Sequence, residues 1–291
     1  MLLALLSACL VDGVPDNVAQ PSDSVAGPTD EHDTAGPWTG LDAGEMATCA
    51  LDLDGGLACW GESAVTESPA ALFDDVAVGA GWACGHSSDG TLDCWGEQDL
   101  IPTGITSAQV SLVAAGTDML CALDEFTRAS CWGCEGDNCD EAGSVFVDLA
   151  VTDDGACGAR ESGEFACWGE VHGEPPEAMI RPRSFDGGAA HYCARWHDGE
   201  VACWGDDSLG QTDAPDLAFT DVTTGAFHSC GLLEDGGVAC WGDNSHGESD
   251  PPTEHSFSNL SAGNGFTCGI TTGDEVVCWG NEDHGVGVSG R

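Results

Sequence analysis

Apolar residues occur in short alternating runs along most of the chain, separated by Gly and Asp and without a helical period. Such alternation predicts β-strands, and the Gly-containing breaks predict tight turns. The pattern recurs about every 36 residues between Trp38 and Arg291, which gives seven repeats. A unit of this length has room for about four strands of about five residues each.

Cysteines mark the repeats, because 14 of the 17 form pairs whose members are ten positions apart and a Trp-Gly dipeptide follows each second member. Around the first pair, Leu53-Asp54-Gly55 fits a three-residue hairpin loop with Gly55 left-handed. The two cysteines then face each other at a non-hydrogen-bonded position, where a disulfide closes with little strain. We therefore predict one disulfide per hairpin, namely Cys49 with Cys59, Cys84 with Cys94, Cys121 with Cys131, Cys157 with Cys167, Cys193 with Cys203, Cys230 with Cys240 and Cys268 with Cys278.

Two hairpins and one insert depart from this pattern. Thr127 and Asp274 stand where the other repeats have the loop glycine, so the third and seventh hairpins are expected to use other turns. Cys134 and Cys139 lie in an insert of the third repeat and predict an eighth, loop-closing bridge.

The residue after each first cysteine is always Ala or Gly and shares a strand face with the Trp. We interpret this small position as room for an indole from the same or the next repeat. Both faces of each sheet are then covered, as in sheets stacked around an axis. The fold class predicted is all-β, a seven-bladed β-propeller with one hairpin disulfide per blade.

The sixth repeat reads Gly225-Ala-Phe-His-Ser-Cys-Gly-Leu and continues with Asp235-Gly-Gly-Val-Ala-Cys-Trp-Gly-Asp-Asn-Ser-His-Gly. It resembles the repeat of the regulator of chromosome condensation family, in the short bacterial form of the propeller-type β-lactamase inhibitor. The resemblance implies seven blades and binding through loops on one face. A Gly five positions before the first cysteine recurs, except for Thr152 in the fourth repeat.

By this analogy, the loops before the first cysteines are the candidate binding surface. Variable loops on a rigid frame commonly carry function, and aromatic anchors dominate interface energetics. The candidate binding residues are Trp82, Asp118, Asp154, Tyr192 and Phe227. His191 and His228 occupy a recurring position two before the first cysteine, which we interpret as framework packing.

The chain begins with an apolar stretch that ends in Leu6-Ser7-Ala8-Cys9, and this resembles the lipobox of a bacterial lipoprotein. We expect residues 1–8 to be a signal segment and Cys9 to be lipidated. Residues 9–37 contain four prolines and no basic residue, which predicts a disordered acidic tether. Residues 38–291 form the propeller. The expected location is the cell envelope, as an outer-membrane lipoprotein, or outside the cell.

Charge excludes one class of partner. Six Arg and no Lys oppose 51 Asp and Glu, giving a formal net charge of −45, so the surface repels nucleic acid. The 17 cysteines favour an oxidising compartment. Their ten-residue spacing fits bridges better than zinc, so no metal site is assigned. Acidic loops leave calcium open as a ligand, although none matches an EF-hand loop.

No sequence motif of a hydrolase or a phosphate loop is present. We therefore expect a lipid-anchored, extracytoplasmic, non-catalytic module without a cofactor. It would be a monomer that meets the membrane only through its lipid and binds an unknown protein or a cell-surface ligand. A structural or adhesive envelope protein, with or without calcium, is the alternative, and an enzyme with an axial site is a third.

Overall fold

Seven antiparallel sheets follow one another along the chain, each made of three strands in sequence order. The structure, a computed structural model, describes residues 37–61, 64–105, 109–133, 145–170, 173–177 and 181–281. The signal segment, nearly all of the tether, Cys9, Cys134 and Cys139 lie outside these residues. Within the described ranges, the inner first strands of the seven sheets contact one another in a closed ring, and the first sheet meets the seventh.

The strands of the first four blades are β1 (Trp38–Ala43), β2 (Ala47–Asp52), β3 (Leu57–Gly61), β4 (Asp75–Val78), β5 (Trp82–His86), β6 (Leu92–Gly96), β7 (Val110–Ala115), β8 (Leu120–Asp124), β9 (Ala129–Trp132), β10 (Asp148–Val151), β11 (Gly155–Ala159) and β12 (Phe165–Gly169). The last three blades contain β13 (Ser184–Gly187), β14 (His191–Arg195), β15 (Val201–Gly205), β16 (Phe219–Thr224), β17 (His228–Leu233), β18 (Val238–Gly242), β19 (Phe257–Ala262), β20 (Phe266–Thr271) and β21 (Val276–Gly280). The seven-bladed all-β fold is thus confirmed.

Each blade has three strands in the described part of the chain, so the expectation of four strands per repeat is wrong. A connector replaces the fourth strand, and after β3 it includes a single turn of 3-10 helix at Ala64–Thr66. Five of the six connectors between blades contain proline, which has no N–H for a ladder and is confined to strand edges. The connector after the third blade contains none. The prolines of these connectors are Pro69, Pro102, Pro175, Pro176, Pro182, Pro215, Pro251 and Pro252.

The second and third strands of every blade form the predicted disulfide-closed hairpin. Cys49 pairs with Cys59 across β2 and β3, and the equivalent cysteines pair in the other six blades. All seven bridges are present, with Cα atoms 4.0–4.1 Å apart, a separation that matches the narrow, non-hydrogen-bonded position of an antiparallel pair. The other six bridges join Cys84 to Cys94, Cys121 to Cys131, Cys157 to Cys167, Cys193 to Cys203, Cys230 to Cys240 and Cys268 to Cys278.

The hairpin turns are the same in all seven blades, which corrects the expectation for the third and seventh. Gly55 has φ 82°, and Thr127 and Asp274 adopt φ 61° and 64° at the equivalent place. Thr127 N–H bonds the Asp124 carbonyl at 2.8 Å, as Gly55 N–H bonds that of Asp52 at 3.0 Å. The side-chain carboxylate of Asp124 also accepts two backbone N–H groups of its own turn, which offsets the strain of a non-glycine residue.

In the four blades where the residue after the first cysteine is glycine, this small position accommodates a phenylalanine, and not the indole that we expected. A Cβ on Gly231 would lie 2.3 Å from the Phe219 ring, and one on Gly158 would lie 2.3 Å from the Phe146 ring. Phe219 in turn packs on Trp241, with ring centroids 5.8 Å apart. The Phe lies at the start of the blade's own first strand, as Phe219 does, or just before it, as Phe146 does.

Candidate binding face

One face of the ring is formed where first strands end and second strands begin. We call it the mouth face, and its seven mouth loops are residues 43–47, 78–82, 115–119, 151–155, 187–191, 224–228 and 262–266. The hairpin turns lie at the opposite ends of the same strands, and they form the hairpin face. The mouth loops surround the axis, because each follows an inner strand.

Glycines hold neighbouring mouth loops in close contact. A Cβ on Gly225 would lie 2.5 Å from the carbonyl oxygen of Gly263, and one on Gly263 would lie 2.4 Å from that of Gly44. This series of contacts passes from the seventh blade to the first, so it closes the ring. The recurring glycine found in the sequence is therefore a requirement of backbone packing at the axis.

In four blades the ring of the residue two before the first cysteine covers the glycine of its own loop. The rings of Trp82, His228 and Phe266 lie where a Cβ on Gly79, Gly225 or Gly263 would be, within 2.3–2.5 Å. All seven residues at this position are buried, which agrees with its interpretation as framework. His228 Nε2 also reaches Thr267 Oγ1 of the next blade at 2.7 Å, and His191 Nε2 reaches Ser229 Oγ at 2.9 Å.

Burial sets the protonation of these two imidazoles. It lowers the pKa of His191 to about 4 and that of His228 to about 3, and the charge of His191 adds to the effect on His228. Both rings are consequently neutral in ordinary buffers and serve as hydrogen-bonding bridges between blades.

The five nominated residues divide into two groups. Trp82 and Tyr192 are fully buried, with 0% exposure, and both lie between blades. Trp82 Nε1 donates to the Thr117 carbonyl at 3.0 Å, and the Tyr192 hydroxyl lies 3.3 Å from Thr152 Oγ1. In this structure neither side chain is presented to a partner.

Asp118, Asp154 and Phe227 occupy equivalent places in the third, fourth and sixth mouth loops and are exposed, Phe227 by 43%. Their backbone is held although their side chains are free. The carbonyls of Asp154 and Phe227 each accept an N–H from the residue after the blade's last strand, at 2.9 Å. Asp118 and Asp154 belong to adjacent blades, whereas Phe227 lies two blades further round the ring.

The mouth face surrounds an axial cavity of about 150 Å³. All seven mouth loops contribute to its wall, and the wall contains no histidine among the described residues. Its polar side chains are Asp42, Glu45, Thr117, Asp153, Asp186, Thr224, Ser261 and Asn264. A second chamber of about 180 Å³ shares Asp42 and Asp186 and adds Asp75.

Polar side chains of the inner strands link each blade to the next around this cavity. Asp42 Oδ2 accepts the Val78 N–H at 2.6 Å, and Asp186 Oδ2 accepts the Thr224 N–H at 2.8 Å. Ser261 Oγ accepts the Ala43 N–H at 2.9 Å and so joins the last blade to the first. Asp42, Asp186 and Ser261 each lie two residues before the recurring glycine of their blade. This position in the repeat is the sequence feature that marks them.

Carboxylates near the axis resist ionisation. Burial raises the pKa of Asp42 to about 8, with Asp186 and Asp75 adding repulsion, and burial raises the pKa of Asp148 to about 7. Burial likewise raises the pKa of Asp186, and the charge of Asp221 adds to it. Carboxyl groups are therefore concentrated around the cavity, and the described part of its wall contains no cation that would favour their ionisation.

Positive charges are confined to one face in the part of the chain that the structure describes, whereas carboxylates lie on both faces. The arginines that the structure describes all lie at hairpin turns or at the starts of first strands, on the hairpin face. They are Arg128, Arg160, Arg181, Arg183 and Arg195. The mouth face instead presents carboxylates after the third strands as well, at Glu97, Glu170, Asp206 and Asp243.

The described residues contain neither a candidate metal site nor a candidate membrane-spanning helix. Within them, no group of three or more His, Cys, Asp or Glu side chains is arranged to hold a metal ion. No helix in the same ranges is both long enough and apolar enough to cross a membrane.

The fold is a seven-bladed β-propeller, and two of its seven repeats match a known family of repeats. Residues 219–248 and 257–286 match the family model "Regulator of chromosome condensation (RCC1) repeat", which confirms the resemblance. No curated protein sequence matches the chain.

Solved structures share the architecture. The CRINKLY WD40 ectodomain of the Arabidopsis thaliana receptor kinase ACR4 is 26% identical, with a TM-score of 0.70 over 84% of this chain and 96% of that one. The ectodomain of the Physcomitrella patens receptor kinase CR4 is 24% identical, with a TM-score of 0.71 over 84% and 74%. Prp20p of Saccharomyces cerevisiae is 16% identical, with a TM-score of 0.61 over 78% and 80%.

Proposed function

We propose that this protein is a non-catalytic module that binds another protein through its mouth face, outside the cytoplasm. One observation carries the proposal. The mouth loops have a backbone fixed by inter-blade contacts, whereas Asp118, Asp154 and Phe227 project from them without a packing role. A rigid frame that presents varied side chains loses little entropy on binding.

Proteins of similar fold support a protein partner. The Prp20p structure was described together with binding properties to Gsp1p and histones, and another structure shows Kap60 bound to yeast RCC1 (Prp20). Because these proteins are less than 25% identical to the chain, they support the class of partner and not its identity.

The proposed location rests on the disulfides and on the first residues. Seven hairpin bridges persist in an oxidising compartment, and the two plant structures are receptor ectodomains. Lipidation of Cys9 would hold the propeller at a membrane surface through the acidic tether. We therefore place the protein in the cell envelope, with the propeller free to meet its partner.

Capture from native envelopes tests this function. The whole chain, carrying a crosslinker, would be incubated with envelope extract in parallel with two matched variants. One replaces the mouth residues by F227A, D118N and D154N, and the other changes F126A, E125Q and D54N on the hairpin face. Each triple variant removes one exposed Phe and two exposed carboxylates.

We expect one partner to be crosslinked to the unaltered protein and to the hairpin-face variant, and to be lost with the mouth-face variant. Loss with the hairpin-face variant alone would contradict the proposal. An added chelator serves as a third arm. If the chelator abolishes capture while both variants bind, a calcium-dependent adhesive role is favoured instead.

A further inference from the structure

The axial cavity combines two features that point to a ligand and not to a packing role. Asp42 and Asp186 line both of its chambers, and the charge of Asp186 adds to the burial that raises the pKa of Asp42. Thr224 also lines the cavity, is 4% exposed, and has an Oγ1 that is buried without a hydrogen-bond partner. A buried hydroxyl of this kind costs stability unless something else satisfies it.

The polar groups next to the Thr224 hydroxyl in the cavity wall are hydrogen-bonded, whereas the Thr224 hydroxyl is not. Asp186 accepts the Thr224 and Gly187 N–H groups and the Thr223 hydroxyl, and Ser261 accepts the Ala43 N–H. These contacts join strands or blades. The Thr224 hydroxyl makes no such contact, although it lies in the same wall, so its position is not explained by the frame.

The chemistry of the occupant follows from the wall. Its polar side chains are carboxyl, hydroxyl and amide groups, and the described arginines all lie on the other face of the ring. A cation with several N–H donors would relieve the repulsion between carboxylates and give Thr224 Oγ1 a partner. The described side chains offer no cluster arranged for direct metal coordination, so a cationic organic group fits better than a bare ion.

The size of the cavity limits the occupant further. A volume of about 150 Å³ accommodates one amino-acid side chain and is open at the mouth face, where we place the protein partner. We propose that the partner inserts a single Arg or Lys side chain into the axial cavity, with its charge at Asp42 and Asp186 and a donor at Thr224 Oγ1. This inference rests on the proposed function and adds the chemical character of the partner.

Short peptides test the insertion directly. The ¹⁵N-labelled whole chain would be titrated with Ac-Gly-Gly-Arg-Gly-Gly-amide, with the Lys peptide, and with the neutral Gln peptide as control. We expect Arg and Lys peptides to shift the amide resonances of the loops around the cavity, foremost that of Thr224, and we expect the Gln peptide to leave them unchanged. Uniform shifts over the acidic surface would mean diffuse attraction and would overturn the insertion.

Matched variants separate the cavity from the general charge of the face. D186N is expected to weaken the cationic peptide by at least about tenfold, and T224V by about threefold or more. T224V removes only the unpartnered hydroxyl, so its thermal stability should not fall. E97Q removes one exposed carboxylate from the outer part of the same face and should change the affinity by less than about twofold.

Failure of the insertion differs from failure of the proposed function. If the captured partner binds T224V and D186N as tightly as the unaltered protein, the mouth face remains the binding surface and the cavity proposal is wrong. If the partner does not bind the mouth face, the proposed function fails whatever the peptides do. If all variants bind the Arg peptide as E97Q does, the insertion is excluded on its own.

Discussion

The hydroxyl of Thr152 bonds the backbone carbonyl of Gly155 at 3.0 Å, and this pair reverses the sizes found at the same two places in other blades. In four other blades a ring covers a glycine, as that of His228 covers Gly225. In the fourth blade the covering residue is itself a glycine, and this leaves room for Thr152. The larger residue at position 152 is therefore compensated by the smaller residue at position 155.

The exchange predicts coupling between the two places. G225T should destabilise the protein by about 1–3 kcal/mol, because a Cβ there meets both the His228 ring and the Gly263 carbonyl. H228G alone should also destabilise, through loss of packing. The double variant should lose less than the sum of the two, by about 1 kcal/mol or more in denaturant titrations.

G273A is the control for this cycle, because the nearest atom to a Cβ at Gly273 is 3.7 Å away. Its unfolding midpoint should be almost unchanged. Strict additivity of G225T and H228G would show that the ring does not require the glycine.

The sequence predicted the frame well because its signal was periodic. Ten-residue spacing determined the cysteine register, and the loop glycine determined the turn at Gly55. The prediction of a fourth strand did not take account of the residues in the connectors. Prolines such as Pro69 and Pro215 lack the N–H that a fourth strand would need to pair with the sheet.

The site was less predictable because burial depends on contacts between blades. Trp82 is a natural interface anchor by residue type, but a glycine in its own loop leaves room for it to fold inward. Asp42 and Asp186 differ from most of the 51 acidic residues by lying two positions before the recurring glycine, but only the placement of the inner strands around the axis shows what that position does.

Disulfides are expected to make a large contribution to stability. Replacing Cys193 and Cys203 together by Ala should cost about 3 kcal/mol, since the bridge closes a short loop in the unfolded chain. Calorimetry or chemical denaturation measures this.

Reduction of all bridges should lower stability more at low salt than in about 1 M salt, because screening weakens the repulsion among excess carboxylates. Equal losses in both conditions would contradict this electrostatic account.

The raised pKa of Asp42 should make the free energy of unfolding fall as the pH rises. Its pKa is raised from 3.8 to about 8 in the folded protein. Its favourable contribution is therefore complete below about pH 4 and is lost as pH rises through about 8. D42N, whose Oδ1 can still accept the Val78 N–H, should raise the unfolding free energy at about pH 8 by at least about 1 kcal/mol and have little effect near pH 4.

D54N on the hairpin face removes an equal charge from an exposed residue and controls for net charge. If D54N and D42N shifted the pH profile alike, burial at the axis would not be the cause.

His228 predicts the opposite pH dependence in acid. Its pKa is lowered to about 3, so the unfolded chain takes up a proton below about pH 6.5 while the folded protein does not. Stability is then lost as pH falls from about 6.5 towards 3. H228F, which imitates Phe266 over its glycine, should flatten this acid limb by about 2 kcal/mol at pH 5. An unchanged slope would show that the imidazole is accessible to protons.

Hydrogen exchange of the whole chain, with and without its captured partner, tests the central claim most directly. The account predicts that the partner slows amide exchange in mouth loops of at least two blades, including those of Asp118, Asp154 and Phe227, and leaves the hairpin turns unchanged. Protection confined to the hairpin turns, with mouth loops exchanging as in the free protein, would contradict it.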